Sequence, residues 1–458
     1  MSLGSGEWVR PDRAPGSGSP GAYGPGPRRW LGGLALPAGA ALLLAAMVLG
    51  GYAHGKGDAV VHLLAILVLG VSLASWRTGT LDRLQTTALG VLVAALALVA
   101  IQLLPLPDRV FASLPERARV LAELRSAGLD PAWLPMTLDP LGTVRSGLAL
   151  LSVLAMWMLC TLMPRGTRIV LVKLAVAAAV PMALLGFVQA SQRVDTTGAN
   201  GLFENRNHYA TMMAMLVPFA LAAGRQAVLR NTVVHAIGWH AVAVVLLLAA
   251  ALSFSRMGSL LAALSGVSAL ALLGAGKAQV RTGPRRAALA VLAVATAAAG
   301  YLASDRLAQR FASNPMDDLR WQYLRIGSSA LEAYLPWGSG MGSFREVYRQ
   351  FEPLQSLGEF TFANHAHNEL LQNTIEGGLP ALVLMLVFVG VVVASALALL
   401  RRGGGADPWR RAALVSASVP LIHSLVDYPL RTLACGILLA LALAVLLSPA
   451  GSARDPTR

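Results

Sequence analysis

Charged residues are scarce in this sequence. Only 13% of the 458 residues are charged, whereas 55% are hydrophobic, and the mean hydropathy is +0.60. This balance excludes an ordinary soluble domain and is typical of a protein embedded in a membrane. Cysteine is also rare. Because Cys160 and Cys435 both lie in apolar runs, a disulfide-stabilised domain is not expected, and the redox compartment cannot be deduced from them.

The N-terminal segment lacks the short apolar core and the cleavage site of a secretory signal. It is rich in Gly, Pro and Ser, with interspersed arginines, which favours disorder. We therefore predict a disordered cytoplasmic tail at 1–28, a transmembrane domain at 29–449 and a second cytoplasmic tail at 450–458.

Long apolar runs fill the rest of the chain. A hydrocarbon core about 30 Å thick requires roughly 20 apolar residues per helix. About twelve such runs are present, near 31–53, 58–75, 84–105, 147–163, 169–190, 208–223, 233–252, 257–275, 287–303, 378–400, 412–428 and 432–448. The pattern predicts an all-α polytopic membrane protein with about 12 transmembrane helices.

The basic residues, which give a net charge of +14, are distributed unevenly between alternate loops. If the N terminus is cytoplasmic, arginines concentrate in the inside loops, and the short outside loops contain only Lys56, Arg193, Arg206, Arg256 and Arg431. Such a bias orients membrane proteins. It predicts that both termini are cytoplasmic, and it explains the basic balance without a nucleic-acid partner.

Two outside loops, at about 106–146 and 304–377, are too long to be simple connections. The first contains "RVFASLPERARVLAELRSAGLD", which is expected to form an amphipathic helix, either on the membrane surface or as a solvated part of the loop. The second, the larger periplasmic loop, contains "GSGMGS". No lysine follows these glycines and no strand precedes them, so a nucleotide-binding loop is not indicated.

Three polar stretches meet the outer face, namely "GLFENRNHYA", "SFSRMGS" and "NHAHNE". Arg256 lies between two apolar runs, where an arginine requires an anionic partner. It is a candidate bidentate clamp for a phosphate, and the alternative is an arginine that extends to lipid phosphates. Arg206 is a second candidate, or else it pairs with Glu204.

His365 and His367 permit several interpretations. With Glu369 they have ligand types that suit a metal ion, although the spacing is weak evidence. A neutral imidazole is otherwise a suitable general base for a sugar hydroxyl, with Asn368 and Glu369 orienting the ring. A histidine that caps the helix or contacts lipid headgroups is the structural alternative.

A further pair lies near the end of the chain. His423 and Asp427 are four residues apart in "IHSLVDYPLR", which places them on one face of the eleventh predicted helix. They form either a structural ion pair or a support beneath the polar cluster.

These stretches together resemble the O-antigen ligase and O-antigen polymerase superfamily of bacterial inner-membrane glycosyltransferases. The resemblance covers roughly 200–430 and rests on "ENRNHYA", "SFSRMGS", "LRWQYLRIGSSALEAYLPWGSGMGSF", "NHAHNELLQNTIEGGLP" and "HSLVDYPL". The family signature is His-Asn, nine residues, Gly, two residues and a small residue. His367, Asn368 and Gly378 fit it, and Ala381 stands where glycine is common.

The resemblance implies that His367 is the catalytic base and that Arg256 and Arg206 bind the donor pyrophosphate. We also expect supporting roles for His365, Asn368, Glu369, Arg320 and Asp427. The resemblance implies an undecaprenyl-pyrophosphate-linked glycan as donor, with neither metal nor other cofactor, and lipid A-core or another lipid-linked glycan as acceptor. The active site would face the periplasm.

The sequence leaves related functions open. A polymerase would use the same donor, and some family members glycosylate proteins. A transporter of lipid-linked sugars is less compatible, because transporters place charges near the membrane midplane, whereas the polar stretches here gather at one face.

Overall fold

The computed structural model describes residues 27–52, 55, 57–76, 81–192, 198–274, 319–353, 363–401 and 407–448. This part of the chain contains fifteen α-helices. They are α1 Pro27–Leu49, α2 Asp58–Ser75, α3 Arg83–Gln102, α4 Asp108–Ala112, α5 Arg117–Ser126, α6 Pro140–Leu162, α7 Arg165–Gln192, α8 Arg206–Leu229, α9 Val233–Leu252, α10 Arg256–Gly274, α11 Leu319–Tyr334, α12 Phe344–Phe351, α13 Glu369–Arg401, α14 Pro408–His423 and α15 Leu433–Leu446. Two short strands, β1 Pro105–Pro107 and β2 Trp133–Pro135, pair antiparallel, with Leu106 opposite Leu134.

The expected all-α, multi-pass architecture is confirmed. Among the described helices, eight are long and apolar enough to cross a membrane, namely α2, α3, α6, α7, α8, α9, α10 and α13. Shorter apolar helices are Gly33–Leu49 within α1 and Leu433–Leu446. The apolar run at 287–303 and the predicted tails, except for the first residues of α1, lie outside the described residues. Each of the other predicted runs overlaps a helix, although the run at 412–428 extends beyond the end of α14 at His423.

Side-chain caps explain where several helices begin. Asp82 accepts a hydrogen bond from the Gln85 amide while the Gln85 side chain accepts one from the Asp82 amide, which is a complete capping box before α3. Asp139 and Asp407 cap α6 and α14 by accepting from the amides of Gly142 and Trp409, and each is followed by a proline at the first helical position. These caps satisfy amides that have no partner within the helix.

The most buried long helix is α8, which packs against α9, α10 and α14. Its contact with α10 depends on small residues, because a Cβ atom added at Gly258 would collide with the Cβ atom of Ala210. Close approach at small residues is the usual way in which membrane helices gain packing energy. The contact brings the first turns of α8 and α10 together.

A kink divides α13 at Gly378, whose φ of 64° and ψ of −158° are not helical. A Cβ atom there would collide with the carbonyl oxygen of Pro336. The glycine-rich turn at 336–342 packs into the kink and supplies its missing hydrogen bonds. Ser339 and Gly340 donate their amides to the carbonyls of residues 375 and 376, at 2.9 and 2.8 Å. The turn therefore has a structural role.

The loop before α6 differs from the single amphipathic helix that the sequence suggests. The helical conformation is interrupted at Glu116, which adopts a left-handed conformation with φ of 60°. The segment therefore forms two short helices, α4 and α5. Arg117 is only 1% exposed, and its guanidinium donates to the carbonyls of Met136 and Gly338 at 3.0 and 2.9 Å. It also lies 5.0 Å from the centre of the Tyr334 ring. Arg117 thus fastens this loop to the glycine-rich turn.

Candidate active site

The polar stretches converge where α8, α10 and α13 begin. Asn207, in the first turn of α8, donates from its side chain to Asp427, which follows α14. Glu369, the first residue of α13, donates its amide to the carbonyl of Ser424 at 2.8 Å. Together with the contact between α8 and α10, these bonds place three helix N termini on one face of the bundle.

Asp427 is the centre of this face and is fully buried. Its Oδ1 atom lies 3.1 Å from His367 Nδ1 and 3.7 Å from His208 Nε2. Its Oδ2 atom lies 3.6 Å from Arg320 Nη2 and accepts the Asn207 bond. A buried carboxylate is stable only with such partners. Side chains from segments that are distant in the sequence therefore surround the Asp427 carboxylate.

His367 is held in an uncommon conformation immediately before α13. Its φ of 51° lies in the left-handed region, which residues other than glycine rarely occupy. The ring stacks on Tyr323 at 5.7 Å and 16°, and it meets Tyr428 edge-on at 4.9 Å. The side chain is 25% exposed, so it is oriented by its neighbours and still accessible.

The pair of His367 and Asp427 fixes the chemistry of the imidazole. When Nδ1 donates its proton to the carboxylate, Nε2 keeps the lone pair and can accept a proton from a substrate. Burial alone would raise the pKa of Asp427, but the neighbouring His208 and His367 hold that pKa well below its usual range. Burial raises the pKa of Tyr428 to about 12, so the phenol stays neutral. Asp427 therefore provides a permanent negative charge.

The neighbours that the sequence suggested as orienting groups have other partners. Asn368 caps α13, because its side-chain oxygen accepts from the Leu371 amide at 2.9 Å. Glu369 accepts from the Leu430 amide at 2.8 Å. Neither orients His367 in this structure, and Asp427 does so instead. Our interpretation of Asn368 and Glu369 was wrong because local spacing does not show which carboxylate a fold brings near.

The Nδ1 atom of His365 has a different partner from that of His367. Its Nδ1 atom lies 3.3 Å from Gln372 Nε2, its ring packs against Tyr428 at 4.1 Å, and the residue is 9% exposed. Among the described residues, no group of three or more His, Cys, Asp or Glu is arranged to hold a metal ion. The two histidines therefore do not share a ligand geometry with Glu369.

The expectation that His423 and Asp427 share a helix face is also wrong. α14 ends at His423, and Asp427 lies in the turn that follows. The His423 Nδ1 atom lies 2.7 Å from Thr211 Oγ1, whereas the Asp427 carboxylate faces His367. The helix ends early because the next residues turn the chain towards α15, and this turn delivers Asp427 to the site.

Arg206 and Arg256 are the first residues of α8 and α10, and both are partly exposed. The first turns of these helices are in contact, as described above for Ala210 and Gly258. A helix N terminus carries partial positive charge and unpaired amides, which favour phosphate. Two cations on two adjacent N termini form a suitable site for a diphosphate.

A second buried network, which sequence reasoning missed, lies beside the first. Arg431 Nη2 donates to Glu376 Oε2 and to Asn373 Oδ1, both at 2.8 Å, and Glu376 is fully buried. Gln372 donates to Glu376 Oε1 at 2.9 Å and so connects this network to His365. The available signal was a glutamate at the edge of an apolar run, which requires a cation.

An apolar cavity of about 290 Å³ opens beside this network, between α3, α6, α13 and α15. Glu369, Asn373 and Arg431 form its polar end, and Leu, Val, Ala and Phe side chains line the remainder. Along α3 the lining runs from Val99 to Ala88, about 17 Å at roughly 1.5 Å per residue. The cavity thus extends from the polar face into the membrane zone.

Comparison with known proteins adds one match. The sequence model of the O-antigen ligase family matches residues 241–386, a segment that includes Arg256, His367 and Gly378. No curated protein matches the sequence. The family match agrees with the resemblance that the motifs indicated.

Proposed function

We propose that this protein is a ligase of the O-antigen ligase type, because residues 241–386 match the sequence model of that family of glycosyltransferase-like enzymes, which act on lipid-linked glycans. It transfers a glycan from an undecaprenyl-pyrophosphate-linked donor to an acceptor hydroxyl, with lipid A-core as the acceptor. The pair of His367 and Asp427 at a polar face beside an apolar cavity carries the proposal.

In the proposed reaction, His367 Nε2 accepts the proton of the acceptor hydroxyl as its oxygen attacks the anomeric carbon of the donor. A new glycosidic bond forms, and the bond between that carbon and the pyrophosphate oxygen breaks. Asp427 stabilises the imidazolium that results. The imidazolium exists only after the base has acted, so this contact favours the transition state over the ground state.

The leaving group is a lipid pyrophosphate that gains negative charge as the bond breaks. Arg256 and Arg206, with the N termini of α8 and α10, would bind this group. Fixed donors aimed at developing charge lower the barrier, and arginine stays protonated throughout. These groups allow transfer without a metal ion.

The donor lipid requires an apolar site next to the polar groups. The cavity between α3, α6, α13 and α15 has such a position, and its lining along α3 spans about 17 Å of a hydrocarbon core about 30 Å thick. At about 290 Å³ it is near the lower limit of about 300 Å³ for ligand pockets, which suits part of one chain. This supports a lipid-anchored donor.

We place the protein in the bacterial inner membrane, with both termini in the cytoplasm and the active site facing the periplasm. The distribution of arginines between alternate loops supports this orientation. Reporter fusions at positions between 340 and 369 should give a periplasmic signal. A cytoplasmic signal there would contradict the proposed mechanism.

The decisive experiment uses the purified full chain in lipid nanodiscs with a lipid-linked donor. Lipid A-core, a second lipid-linked glycan and a protein acceptor are supplied separately, and mass spectrometry shows which one gains the glycan. A gain on lipid A-core supports the ligase. A gain on the lipid-linked glycan alone would indicate a polymerase, and movement of donor between leaflets without a new bond would indicate a transporter.

A further inference from the structure

A second histidine faces the central carboxylate. His208, in the first turn of α8, is 2% exposed, and its Nε2 atom lies 3.7 Å from Asp427 Oδ1. That is the oxygen that His367 contacts at 3.1 Å. Within the described residues, His208 Nε2 has no hydrogen-bond partner. A buried ring nitrogen in this state is unusual, because buried polar groups are nearly always paired.

The surroundings of His208 restrict its movement. Its ring meets Tyr428 edge-on at 4.6 Å and 78°, and its backbone amide donates to the carbonyl of Asn205 at 3.1 Å. The preceding residue, Asn207, donates to the other oxygen of Asp427. Two consecutive residues of α8 therefore face the two oxygens of one carboxylate.

This arrangement matters because a carboxylate can rotate about its side-chain bonds. His367 needs Oδ1 at its Nδ1 atom to keep the correct tautomer. Asn207 restrains Oδ2, the Tyr428 amide donates to Oδ1 at 3.0 Å, and a side-chain donor at Oδ1 would add a second restraint on that oxygen. Hydrogen bonds in catalytic sites are often long without substrate and tighten in the complex.

We propose that His208 is a positioning residue, whose neutral ring donates its Nε2 proton to Asp427 Oδ1 and holds the carboxylate in the orientation that His367 requires. The proposal rests on the proposed function only in that His367 is taken as the base. The ring must be neutral, since a cation at that oxygen would cancel the charge that stabilises the imidazolium of His367.

Several titratable groups surround His208. Asp427 and Tyr428 face it from the turn after α14, and His423 and Arg320 are near the same carboxylate. On α15, the Cys435 thiol lies 3.8 Å from the His208 carbonyl oxygen. Tyr428 keeps its proton, because burial raises its pKa to about 12. Asp427 is therefore the anion that His208 meets.

Three substitutions show whether His208 acts as a hydrogen-bond donor or only through the packing of its ring. In His208→Gln, the side-chain amide nitrogen occupies the place of Nε2, whereas in His208→Asn it falls short. His208→Phe keeps the ring shape without a donor. We expect kcat to fall about 10- to 100-fold in the Phe and Asn variants, the effect of one hydrogen bond to a charged group, with KM for the donor unchanged. The Gln variant should keep most of the activity.

His62 provides the matched control. It is a partly buried histidine in α2, bonded to Ser152 at 3.0 Å, and α2 supplies none of the site residues described above. His62→Phe should leave kcat unchanged. If His208→Phe is as active as the unmodified protein, or if the Gln and Phe variants are impaired equally, the hydrogen bond from His208 has no role and the proposal is overturned.

A second readout does not depend on transfer. Diethyl pyrocarbonate modifies neutral, accessible imidazoles, and His367 is 25% exposed whereas His208 is 2% exposed. The modification rate of the peptide containing His367 is measured by mass spectrometry against pH. Loss of the carboxylate orientation should lower the midpoint in the Phe and Asn variants but not in the Gln variant. An unchanged midpoint in all three would refute positioning, whereas a shift without any transfer activity would refute the proposed function alone.

Discussion

His367 Nδ1 and Asp427 Oδ1 lie 3.1 Å apart, although sixty residues separate them in the chain. The contact joins the segment before α13 to the turn after α14. It exists because Glu369 and Asn368 are bonded to the carbonyls of Ser424 and Leu425, at 2.8 and 3.0 Å. These bonds hold the two backbone segments side by side, so the contact between His367 and Asp427 follows from how the segments pack.

The two neighbouring histidines should behave differently. His367→Ala should abolish transfer while protein level and donor binding stay nearly intact, because a base acts mainly in the transition state. His365→Ala should retain measurable transfer, since His365 contacts Gln372 and Tyr428 instead of Asp427. Transfer and donor binding are measured on both purified variants. Normal transfer by the His367 variant, or complete loss in the His365 variant alone, would contradict this assignment.

Replacing Asp427 by asparagine should reduce kcat by about 10² to 10⁴, because an amide cannot stabilise the imidazolium and can hold the wrong tautomer. The measurement is kcat of the purified variant and of the unmodified protein with the same donor and acceptor. An unchanged kcat in the variant would show that the carboxylate does not support the base.

Asp427 should also make the stability of the folded protein decrease at low pH. Because its pKa is lowered in the folded state, the carboxylate contributes stability that is fully present above the ordinary value of 3.8. That stability is lost as the pH falls through the lower folded value. Thermal unfolding in detergent should therefore show a steeper loss below about pH 4 for the unmodified protein than for Asp427→Asn. Parallel curves would mean that the charge does not stabilise the fold.

Arg256 is expected to bind the pyrophosphate through its planar fork as well as its charge. Lysine supplies the charge alone, so Arg256→Lys should remain largely impaired, by about tenfold or more, and Arg256→Ala should be worse. The measurement is kcat/KM and donor affinity for both variants. Full activity with unchanged affinity in the lysine variant would rule out a bidentate clamp.

The kink of α13 offers a test with a control in the same helix. Gly378→Ala should lower the unfolding temperature and the activity, because the residue has φ of +64° and its Cβ atom would collide with the Pro336 carbonyl. Alanine at a positive φ costs more than about 1 kcal/mol before any collision is counted. At Gly390, where nothing lies within 4 Å of an added Cβ atom, alanine should be tolerated. Equal thermal stability of the two variants would refute this account.

Activity should survive an excess of EDTA, because two arginines and two helix N termini would neutralise the pyrophosphate. Transfer is measured before and after chelation and dialysis. Loss of activity with recovery on addition of zinc or manganese would show that a metal takes part in the reaction.

Much of the fold was predictable because each helix in a membrane satisfies its own backbone and must be apolar over its length. The run at 233–252 coincides with α9 in both bounds, and the motif around His367 identifies a residue with unusual geometry. Arg256 stood out since a charge between apolar runs requires a reason. These signals are local in the sequence.

The partners were not predictable in the same way. The bonds from Asp427 to His367 and from Arg431 to Glu376 depend on how α13 packs beside the turn after α14, and no spacing rule encodes that packing. Spacing favoured Asn368 and Glu369 over the distant aspartate. The end of α14 at His423 was missed for a similar reason, because hydropathy continues smoothly through the turn.

The bonds from Arg117 to Met136 and Gly338 have a consequence for exchanging parts between related enzymes. They join two loops that the sequence separates by about two hundred residues, so the two loops depend on each other to satisfy one buried side chain. A graft of either loop alone would leave a buried guanidinium without its carbonyl acceptors, or those acceptors without their cation. Chimeras designed to change acceptor preference must therefore transplant both segments together.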